Sequence, residues 1–365
     1  MNNLLVDYQH DILILFKNHY RRMITKSVDV SFNEILEATM MDLNIKKSSS
    51  SDTVFLESWF NNVHHQIYFQ NFTKNAFTEI IFHSHKSVQV IGLHEKHSFG
   101  LEDLSAEDFQ LSLEVLALKN QVSWNFQEPF SSFNVRLNDL NLRATLIHFS
   151  TSSNAKSKAF LRSIPTNTPS IDLFKLEESP LEILKNIISE KKNVLISGGT
   201  GSGKTTLLRS LLALIPDEEH LIVLEDTYEI LNHHPGQTSF LASKEQNNKS
   251  LKDYCAYSLR MSPDRLIVGE MRSTEVVPFL LAMNTGHKGL MSTIHASSAV
   301  DALSRISLLF SLFSESNDIS FALVTKLVCK NVDYVIHMEH KKIIEICRVI
   351  GSDAETPFYE RLYSA

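Results

Sequence analysis

The spacing of apolar positions distinguishes the first part of the chain from the remainder. Residues 1–45 place apolar side chains such as Ile12, Leu15 and Phe16 at mixed three- and four-residue spacings, which predicts amphipathic helices. The polar stretch Lys46–Asp52 contains four consecutive serines and predicts a linker. Residues 1–52 are therefore predicted to be a helical N-terminal segment with its linker.

Residues 53–164 mix strand and helix patterns. Two pairs of apolar runs predict β-hairpins: Phe77–Phe82 with Ser87–Ile91, and Phe133–Leu137 with Leu142–Ile147 across the turn Asn138–Asn141. Between the hairpins, Ser105 followed by Asp108 is typical of a helix N-terminus, and an apolar helical run comes after it. This region is predicted to be an α+β domain.

The pattern changes after residues 165–180, where Pro165, Pro169 and Pro180 predict an interdomain linker. In residues 181–365, apolar strands alternate with helical patterns, as in a parallel α/β core. The predicted strands are Asn193–Ser197, Leu221–Leu224, Arg265–Val268 and Leu290–Ile294.

The composition argues against a nucleic-acid coat protein, a disulfide-bonded protein and a zinc protein. Apolar residues make up 43% and charged residues 21% of the 365 residues, a balance that can form full cores. The net charge of −7 argues against a nucleic-acid coat, so no nucleic-acid partner is expected. Cys255, Cys329 and Cys347 are widely spaced without a CxxC pair, which predicts reduced core residues rather than disulfides or a zinc site.

The N-terminus does not have the pattern of a secretory signal. Polar residues such as Asp7 and Asp11 interrupt its apolar run, and no window of the chain holds about 18 uninterrupted apolar residues. We therefore expect a cytoplasmic protein whose membrane association is peripheral.

A phosphate-binding loop comes directly after the first strand of the α/β core. Its residues match G-x-x-x-x-G-K-[ST] without a gap: Gly198, Gly199, Thr200, Gly201, Ser202, Gly203, Lys204 and Thr205. Glycines let successive backbone N–H groups point at phosphate oxygens, and the helix that continues from Thr206 adds its positive end. Lys204 would neutralise the β- and γ-phosphates, and the Thr205 hydroxyl would bind Mg²⁺, so ATP and Mg²⁺ are the predicted cofactors.

Two acidic clusters come after apolar strands, where an open α/β sheet binds its ligand. Glu225, Asp226 and Glu229 lie after one strand, and Glu270 lies after Leu266-Ile-Val-Gly269 on another. Glu270 is predicted to be catalytic and associated with Mg²⁺, against the alternative of a solvated charge. Glu225 is the candidate for orienting the attacking water, but spacing alone does not decide among the three carboxylates of the first cluster.

A histidine ends the last predicted strand of this core. His295 in Thr293-Ile-His-Ala296 is the fourth candidate catalytic residue after Lys204, Glu225 and Glu270, since it would lie where it can contact the γ-phosphate and respond to ATP. The alternative is a histidine with a purely structural role.

Together these stretches resemble the secretion or traffic ATPases of bacterial type II and type IV secretion and of type IV pili. The resemblance spans about residues 60–365 and is dense from 191 to 306. The family's four motifs match in order: a Walker A loop at Gly198–Thr206, an acidic box at Glu225–Glu229, a Walker B segment at Leu259–Arg272 and a histidine box at Thr285–Ala296. The chain is most similar to the branch that serves type IV secretion and tight-adherence (Tad) pili, and it lacks the four-cysteine zinc element of the larger type II export ATPases.

The resemblance implies a fold and a machine. The implied fold is α/β: a C-terminal RecA-like P-loop ATPase domain, a smaller α+β N-terminal domain and the N-terminal helical segment. It further implies a homo-oligomer, a hexameric ring, that is peripheral at the inner membrane through a platform protein and assembles a pilus or exports protein. Arg136, Arg143 and Arg162 would reach the bound phosphates from the N-terminal domain, although each has the alternative of being an ordinary surface arginine.

One departure from the family pattern leaves a second function open. Family members carry arginines soon after the acidic box, whereas this chain has His233-His-Pro-Gly-Gln-Thr-Ser239. The loss of positive charge would make hydrolysis slow, so a nucleotide-binding regulatory or scaffold subunit is the alternative to an ATPase motor. A nucleic-acid motor is a third hypothesis, and the net charge gives it little support.

Overall fold

The computed structural model describes residues 2–45, 49–73, 77–92, 95–100, 104–137, 139–164, 166–231, 234–242, 250–315 and 319–365. Its contacts divide the chain into two units, Met1–Pro165 and Thr166–Ala365. No helix among these described residues is both long and apolar enough to cross a membrane.

The first unit combines helices with one antiparallel sheet. Its helices are α1 (Asn2–Ile24), α2 (Phe32–Asp42), α3 (Ser50–His64), α4 (Ile67–Gln70) and α5 (Ala106–Lys119). Its strands are β1 (Glu79–Ser84), β2 (Ser87–Ile91), β3 (Lys96–Gly100), β4 (Phe130–Leu137), β5 (Leu140–Ile147) and β6 (Lys158–Ser163). The strands lie in the order β3-β2-β1-β6-β5-β4, and α5 packs Phe109, Leu113 and Leu116 into the sheet's core.

Both predicted hairpins are present, and the sheet is larger than predicted. β1 pairs with β2 and β4 pairs with β5, each pair antiparallel. The second turn is tighter than Asn138–Asn141, because Leu137 already pairs with Leu140; residue 138 lies outside the described residues. β3 and β6 were not predicted, since β3 is exposed along its whole length and β6 has few consecutive apolar residues.

The serine-rich stretch is partly the start of a helix rather than a linker. The Ser49 hydroxyl accepts a hydrogen bond from the Asp52 amide and caps α3, which begins at Ser50. Serine and aspartate favour helix caps as well as loops, so the polar composition was misleading here. The predicted boundary between residues 52 and 53 therefore falls within α3; residues 46–48 lie outside the described part of the chain.

A buried aspartate ties the N-terminal helices to α5. Asp108, in the first turn of α5, accepts a hydrogen bond from the Trp59 indole at 2.9 Å and lies 2.7 Å from the Lys17 ammonium. Leu111 and Val115 of α5 belong to the same apolar cluster as residues of α1, α2 and α3. The N-terminal helices are thus part of the first unit's folded core.

We predict that Asp108→Ala destabilises the first unit by about 2–4 kcal/mol, because it leaves the buried Trp59 N–H and the half-buried Lys17 ammonium without a partner. The matched control is Glu107→Ala, which removes a solvent-exposed pair with Arg21 and should cost less than about 1 kcal/mol. Urea unfolding followed by tryptophan fluorescence measures both, since Trp59 and Trp124 both lie in this unit. Equal losses in the two variants would contradict the prediction.

The second unit is a mostly parallel sheet flanked by helices. Its helices are α6 (Glu178–Ser189), α7 (Lys204–Leu212), α8 (Leu251–Ser258), α9 (Val276–Asn284), α10 (Ala299–Phe313) and α11 (Phe321–Asn331). Its strands are β7 (Val194–Gly198), β8 (Leu221–Glu225), β9 (Gln237–Leu241), β10 (Arg265–Met271), β11 (Met291–Ile294), β12 (Tyr334–Glu339), β13 (Lys342–Asp353) and β14 (Thr356–Ser364). The four strands predicted from the sequence correspond to β7, β8, β10 and β11.

The predicted linker 165–180 is shorter in the structure. A short 3-10 helix spans Ile171–Phe174, and the side chains of Ile171 and Phe174 lie in the second unit's core. Helix α6 already begins at Glu178. Pro180 lies in the first turn of α6, where a missing N–H costs nothing. Proline therefore marks a helix start here rather than a linker.

The strand order brings the chemically interesting strand ends together. The sheet runs β14-β13-β12-β7-β11-β10-β8-β9, parallel from β12 to β9, with β13 and β14 added antiparallel. β7 lies between β11 and β12 and is buried along its length. The carboxyl ends of β7, β8, β10 and β11 meet at one edge of the sheet, which is where such sheets bind ligands.

Candidate functional site

The glycine-rich loop connects the end of β7 to the first turn of α7. Gly201 and Gly203 have φ of +72° and +99°, a backbone conformation that other residues rarely adopt. Gly198 packs so closely that an added Cβ would collide with the Met338 carbonyl oxygen and the Ser202 hydroxyl. The structure thus places Gly198–Thr206 in the strand–loop–helix arrangement that a phosphate-binding loop requires.

Lys204 occupies the inside of this loop. Its ammonium donates to the carbonyl oxygens of Gly198 and Gly199, at 2.9 and 2.8 Å, and only 7% of the residue is exposed. Burial lowers the pKa of Lys204, and the negative charges of Glu270 and Glu229 partly oppose this effect. The hydroxyl of Ser202 is buried in the same loop without a hydrogen-bond partner among the described residues. An unpartnered donor and an inward-facing ammonium fit a bound polyphosphate.

The threonine that ends the motif contacts the acidic box. The Thr205 hydroxyl donates to a Glu229 carboxylate oxygen at 3.1 Å. Thr205, Glu229, Asp226 and Glu270 all line one narrow cleft. Hydroxyl and carboxylate oxygens suit Mg²⁺, which keeps several waters and binds few protein groups.

Glu270 lies between positive groups. Arg272 donates to it at 2.5 Å and also pairs with Asp226 at 3.1 Å, so one guanidinium joins the ends of β10 and β8. Burial alone would raise the pKa of Glu270, but the hydrogen bond and charge of Arg272, with smaller contributions from His295 and Lys204, hold it below its usual value. Glu270 is therefore an anion at neutral pH, as a role with Mg²⁺ requires.

His295 lies between Lys204 and Glu270. Its Nδ1 lies 3.3 Å from the Lys204 ammonium. Its Nε2 lies 3.0 Å from Oε1 of Glu270, which is close enough for an ion pair, but the geometry of this second contact does not make a hydrogen bond. The structure thus brings together the residues of the loop, the Walker B segment and the histidine box that the sequence singled out.

Glu225 has a supporting position. One of its oxygens accepts hydrogen bonds from the amides of Glu229 and Ile230, at 2.9 and 2.8 Å. The residue is only 4% exposed, and burial raises its pKa to about 7 against these hydrogen bonds. Glu225 therefore holds the turn that carries Glu229, and Glu229 is the carboxylate that contacts Thr205. Sequence spacing does not decide which of the three carboxylates contacts Thr205, because that depends on how the chain folds back in the turn after β8.

Two features of the site were missed by sequence reasoning. The first is the role of Arg272, which the sequence analysis names only as the end of the Walker B segment. Its guanidinium pairs with both Glu270 and Asp226. The second is a cavity of about 1060 Å³ beside the loop, large enough for a nucleotide. Gly198–Ser202, His295, Arg305 of α10 and Met338–His340 at the end of β12 are among the residues that line it.

The three predicted arginines share one face of the first unit's sheet. Arg143 pairs directly with Arg162 across β5 and β6, and Arg136 pairs with Asn141, two positions from Arg143. Residues on strands that share this register point to the same side. Arg136 and Arg162 are exposed, and Arg143 is half-buried and donates to the Ser132 hydroxyl.

The stretch after the acidic box contains no arginine. Residue 233 lies outside the described residues, and His234 bonds to the Pro216 carbonyl oxygen. Gln237–Leu241 forms β9 at the edge of the sheet. In the described part of this stretch, no cation faces the acidic cleft.

Comparison with known proteins gives one family and one fold. The family model for Type II/IV secretion system proteins matches residues 129–351. The type IV secretion system protein VirB11 of Bartonella henselae is 36% identical over 156 residues, which is 42% of this chain and 44% of that protein. The match thus spans less than half the length of this curated relative.

Two solved structures share the fold at low identity. The pilus retraction motor PilT with bound ADP has a TM-score of 0.57 and 20% identity, covering 80% of each chain. The ATPase DotB of Legionella pneumophila has a TM-score of 0.56 and 17% identity, covering 82% of this chain and 78% of its own. The predicted α/β fold, with a RecA-like second unit, is confirmed.

The raised pKa of Glu225 predicts a pH dependence of stability. Its pKa is about 7 in the folded state against 4.5 ordinarily, so its contribution to stability is full below about pH 4.5 and is lost as the pH rises through 7. Between pH 5 and 8 we expect the free energy of unfolding of the wild type to fall by roughly 1–3 kcal/mol more than that of Glu225→Gln. Denaturation of the nucleotide-free protein followed by circular dichroism measures this. Exposed Glu218→Gln is the control, and a Glu225→Gln variant with the wild-type pH profile would refute the prediction.

Proposed function

We propose a function from the premise that this chain belongs to the Type II/IV secretion system protein family. The chain is an Mg²⁺-dependent ATPase, and its second unit carries the active site. The observation that carries this proposal is the convergence of the Lys204 ammonium, the Thr205–Glu229 contact and the Glu270 carboxylate at one sheet edge.

Each residue of the site has a separate role in phosphoryl transfer. The amides of Gly199–Thr206 and the Lys204 ammonium bind the β- and γ-phosphates and offset their charge. In binding them, Lys204 exchanges its present carbonyl partners for phosphate oxygens. The Thr205 hydroxyl and the Glu270 carboxylate would hold Mg²⁺, and the bound ion would neutralise charge that develops on the phosphates.

Glu229 is the group best placed to orient the attacking water. It contacts Thr205 directly, whereas Glu225 is occupied by the amides of the turn. Arg272 keeps Glu270 ionised and in place. His295 connects Lys204 to Glu270, so a phosphate that draws Lys204 away changes the surroundings of Glu270. His295 therefore reports whether ATP is bound.

At the level of the whole machine, the chain acts as a homohexameric motor at the cytoplasmic side of the inner membrane. It drives a platform protein of a type IV secretion system or of a Tad-like pilus. Support comes from the family match and from the similarity to VirB11. Arg136, Arg143 and Arg162 contribute positive charge to bound phosphates when the domains close on ATP.

A second candidate function is a regulatory subunit that binds ATP and hydrolyses it slowly. The absence of arginine from residues 233–239 favours it, since fewer cations would stabilise the transition state. Turnover by the purified protein separates the two functions. Stimulation by single-stranded DNA or RNA would instead support a nucleic-acid motor.

Lys204→Ala and Glu270→Ala are predicted to lower ATP turnover by about 10²–10³-fold, because each removes charge that stabilises the transition state. Steady-state phosphate release with Mg²⁺ measures turnover, and exposed Glu218→Ala serves as the control with unchanged turnover. Wild-type turnover no higher than that of the two variants, with ATP still bound, would favour the regulatory function. Turnover unchanged by Lys204→Ala would exclude this site.

The role proposed for the arginines of the first unit's sheet leads to a separate prediction about kcat. Arg162→Ala and Arg143→Ala should lower kcat by about tenfold or more and change ATP affinity less, since their contact forms only on closure. Lys158→Ala, on the same strand as Arg162, is the control. If the arginine variants match Lys158→Ala in kcat, the arginines are surface residues.

A further inference from the structure

Arg272 spans the acidic cleft between the ends of β10 and β8. Its Nη2 lies 2.5 Å from Oε2 of Glu270, and its Nη1 lies 3.1 Å from a carboxylate oxygen of Asp226. Among the described residues that line this cleft, Arg272 is the only cation, whereas four carry carboxyl groups: Glu225, Asp226, Glu229 and Glu270. The guanidinium therefore supplies the positive charge that lets two carboxylates lie close together at neighbouring strand ends.

The free space in this cleft is too small for a hydrated metal ion. It amounts to about 20 Å³, which is room for about one water molecule. Mg²⁺ binds its ligands octahedrally and keeps several waters, so a side chain must leave the cleft before the ion can enter. Arg272 is the side chain that can leave most easily, because it is long and flexible and is already 50% exposed, against 18% for Glu270.

The contacts of Arg272 use the same oxygens that a metal ion would use. Mg²⁺ prefers carboxylate oxygens, and Glu270 is the carboxylate assigned to it in the proposed function. Arg272 binds Oε2 of Glu270, and His295 Nε2 lies 3.0 Å from Oε1, so both oxygens already lie against a basic side chain. A metal ion that approaches Glu270 therefore has to overcome both the charge of the guanidinium and its hydrogen bond.

We propose that Arg272 competes with Mg²⁺ for Glu270 and thereby makes metal binding depend on the nucleotide. The guanidinium holds Glu270 and Asp226 together, and it gives up Glu270 only to a metal ion that is also bound by phosphate oxygens. Those oxygens supply the additional ligands that the cleft itself does not provide. Arg272 is thus a positioning residue that acts through Glu270. The inference rests on the proposed function, since it takes Glu270 to be a ligand of the metal.

The test is the binding of Mn²⁺, used in place of Mg²⁺, to the full chain without nucleotide, measured by electron paramagnetic resonance. Arg272→Gln removes the competing charge and should bind Mn²⁺ at least about tenfold more tightly than the wild type does, because ligand charge sets the affinity of carboxylate sites. Arg348→Gln is the matched control, since it removes the same charge from an exposed pair with Glu360. The Arg348 side chain is 53% exposed, close to the 50% of Arg272, and its loss should leave the affinity unchanged.

Further variants show whether the gain in affinity comes from Glu270. Combining Arg272→Gln with Glu270→Gln should return the affinity to about the wild-type value, because the contested carboxylate is then missing. Arg272→Lys keeps the charge without the planar fork that spans both carboxylates, so its affinity should lie between those of the wild type and Arg272→Gln. Without nucleotide, Mg²⁺ should also raise the melting temperature of Arg272→Gln more than that of the wild type.

Equal Mn²⁺ affinities in Arg272→Gln and Arg348→Gln would overturn the proposal. A gain that persists after Glu270→Gln would also overturn it, because the ion would then be bound by other carboxylates. If circular dichroism shows that Arg272→Gln does not fold, Arg272→Lys decides alone, and an affinity equal to that of the wild type would contradict the proposal. All these measurements are made without nucleotide, whereas a wild type that binds no Mg-ATP would refute the proposed function.

Discussion

The second unit depends on the burial of β7 between β11 and β12, with the glycine-rich loop continuing from its end. The strand has no exposed residue, and it pairs in parallel with both neighbours. At Gly198 the backbone meets the Met338 carbonyl so closely that no side chain fits. This contact fixes where the loop leaves the sheet. It thereby sets the positions of Lys204, of the loop amides and of the start of α7.

Charge balance is the second constraint on the site. Lys204, Glu225 and Glu270 are each at least half-buried, and an isolated buried charge is costly. The structure offsets this cost in three ways: loop carbonyls hold Lys204, backbone amides hold Glu225, and Arg272 with His295 surrounds Glu270. A polyphosphate with Mg²⁺ would replace part of these internal contacts, which couples ligand binding to the arrangement of the acidic residues.

Much of this site could be predicted from the sequence, because the motif residues come after apolar strands and parallel strands end at one edge. The loop was predicted from its motif and Glu270 and His295 from their places after strands, and the structure brings these residues together at one edge. The choice among Glu225, Asp226 and Glu229 could not be predicted, since it depends on a turn that directs one carboxylate to Thr205 and another to backbone amides. The bridge that Arg272 makes was also beyond sequence reasoning, because Asp226 and Glu270 are far apart along the chain and lie at the ends of different strands.

Outside the site, local composition was a weaker guide. The serine run was predicted as a linker but caps α3, and Pro180 was predicted as part of a linker but lies in the first turn of α6. Both residue types favour helix starts as much as loops, and only the apolar positions after them, buried in a core, decide between the two. The hairpins were predicted correctly because their turns separate clear apolar runs.

The central claim is that the loop and the acidic cleft form one site for a metal-bound nucleoside triphosphate. Electron paramagnetic resonance of Mn²⁺, used in place of Mg²⁺, tests it most directly. Because Mg²⁺ is usually bound through one or two carboxylates together with substrate phosphates, we expect Mn²⁺ in its place to bind tightly only when ATP is present, and Lys204→Ala to abolish that binding. Tight Mn²⁺ binding without ATP, or ATP binding that leaves the Mn²⁺ spectrum unchanged, would contradict the claim.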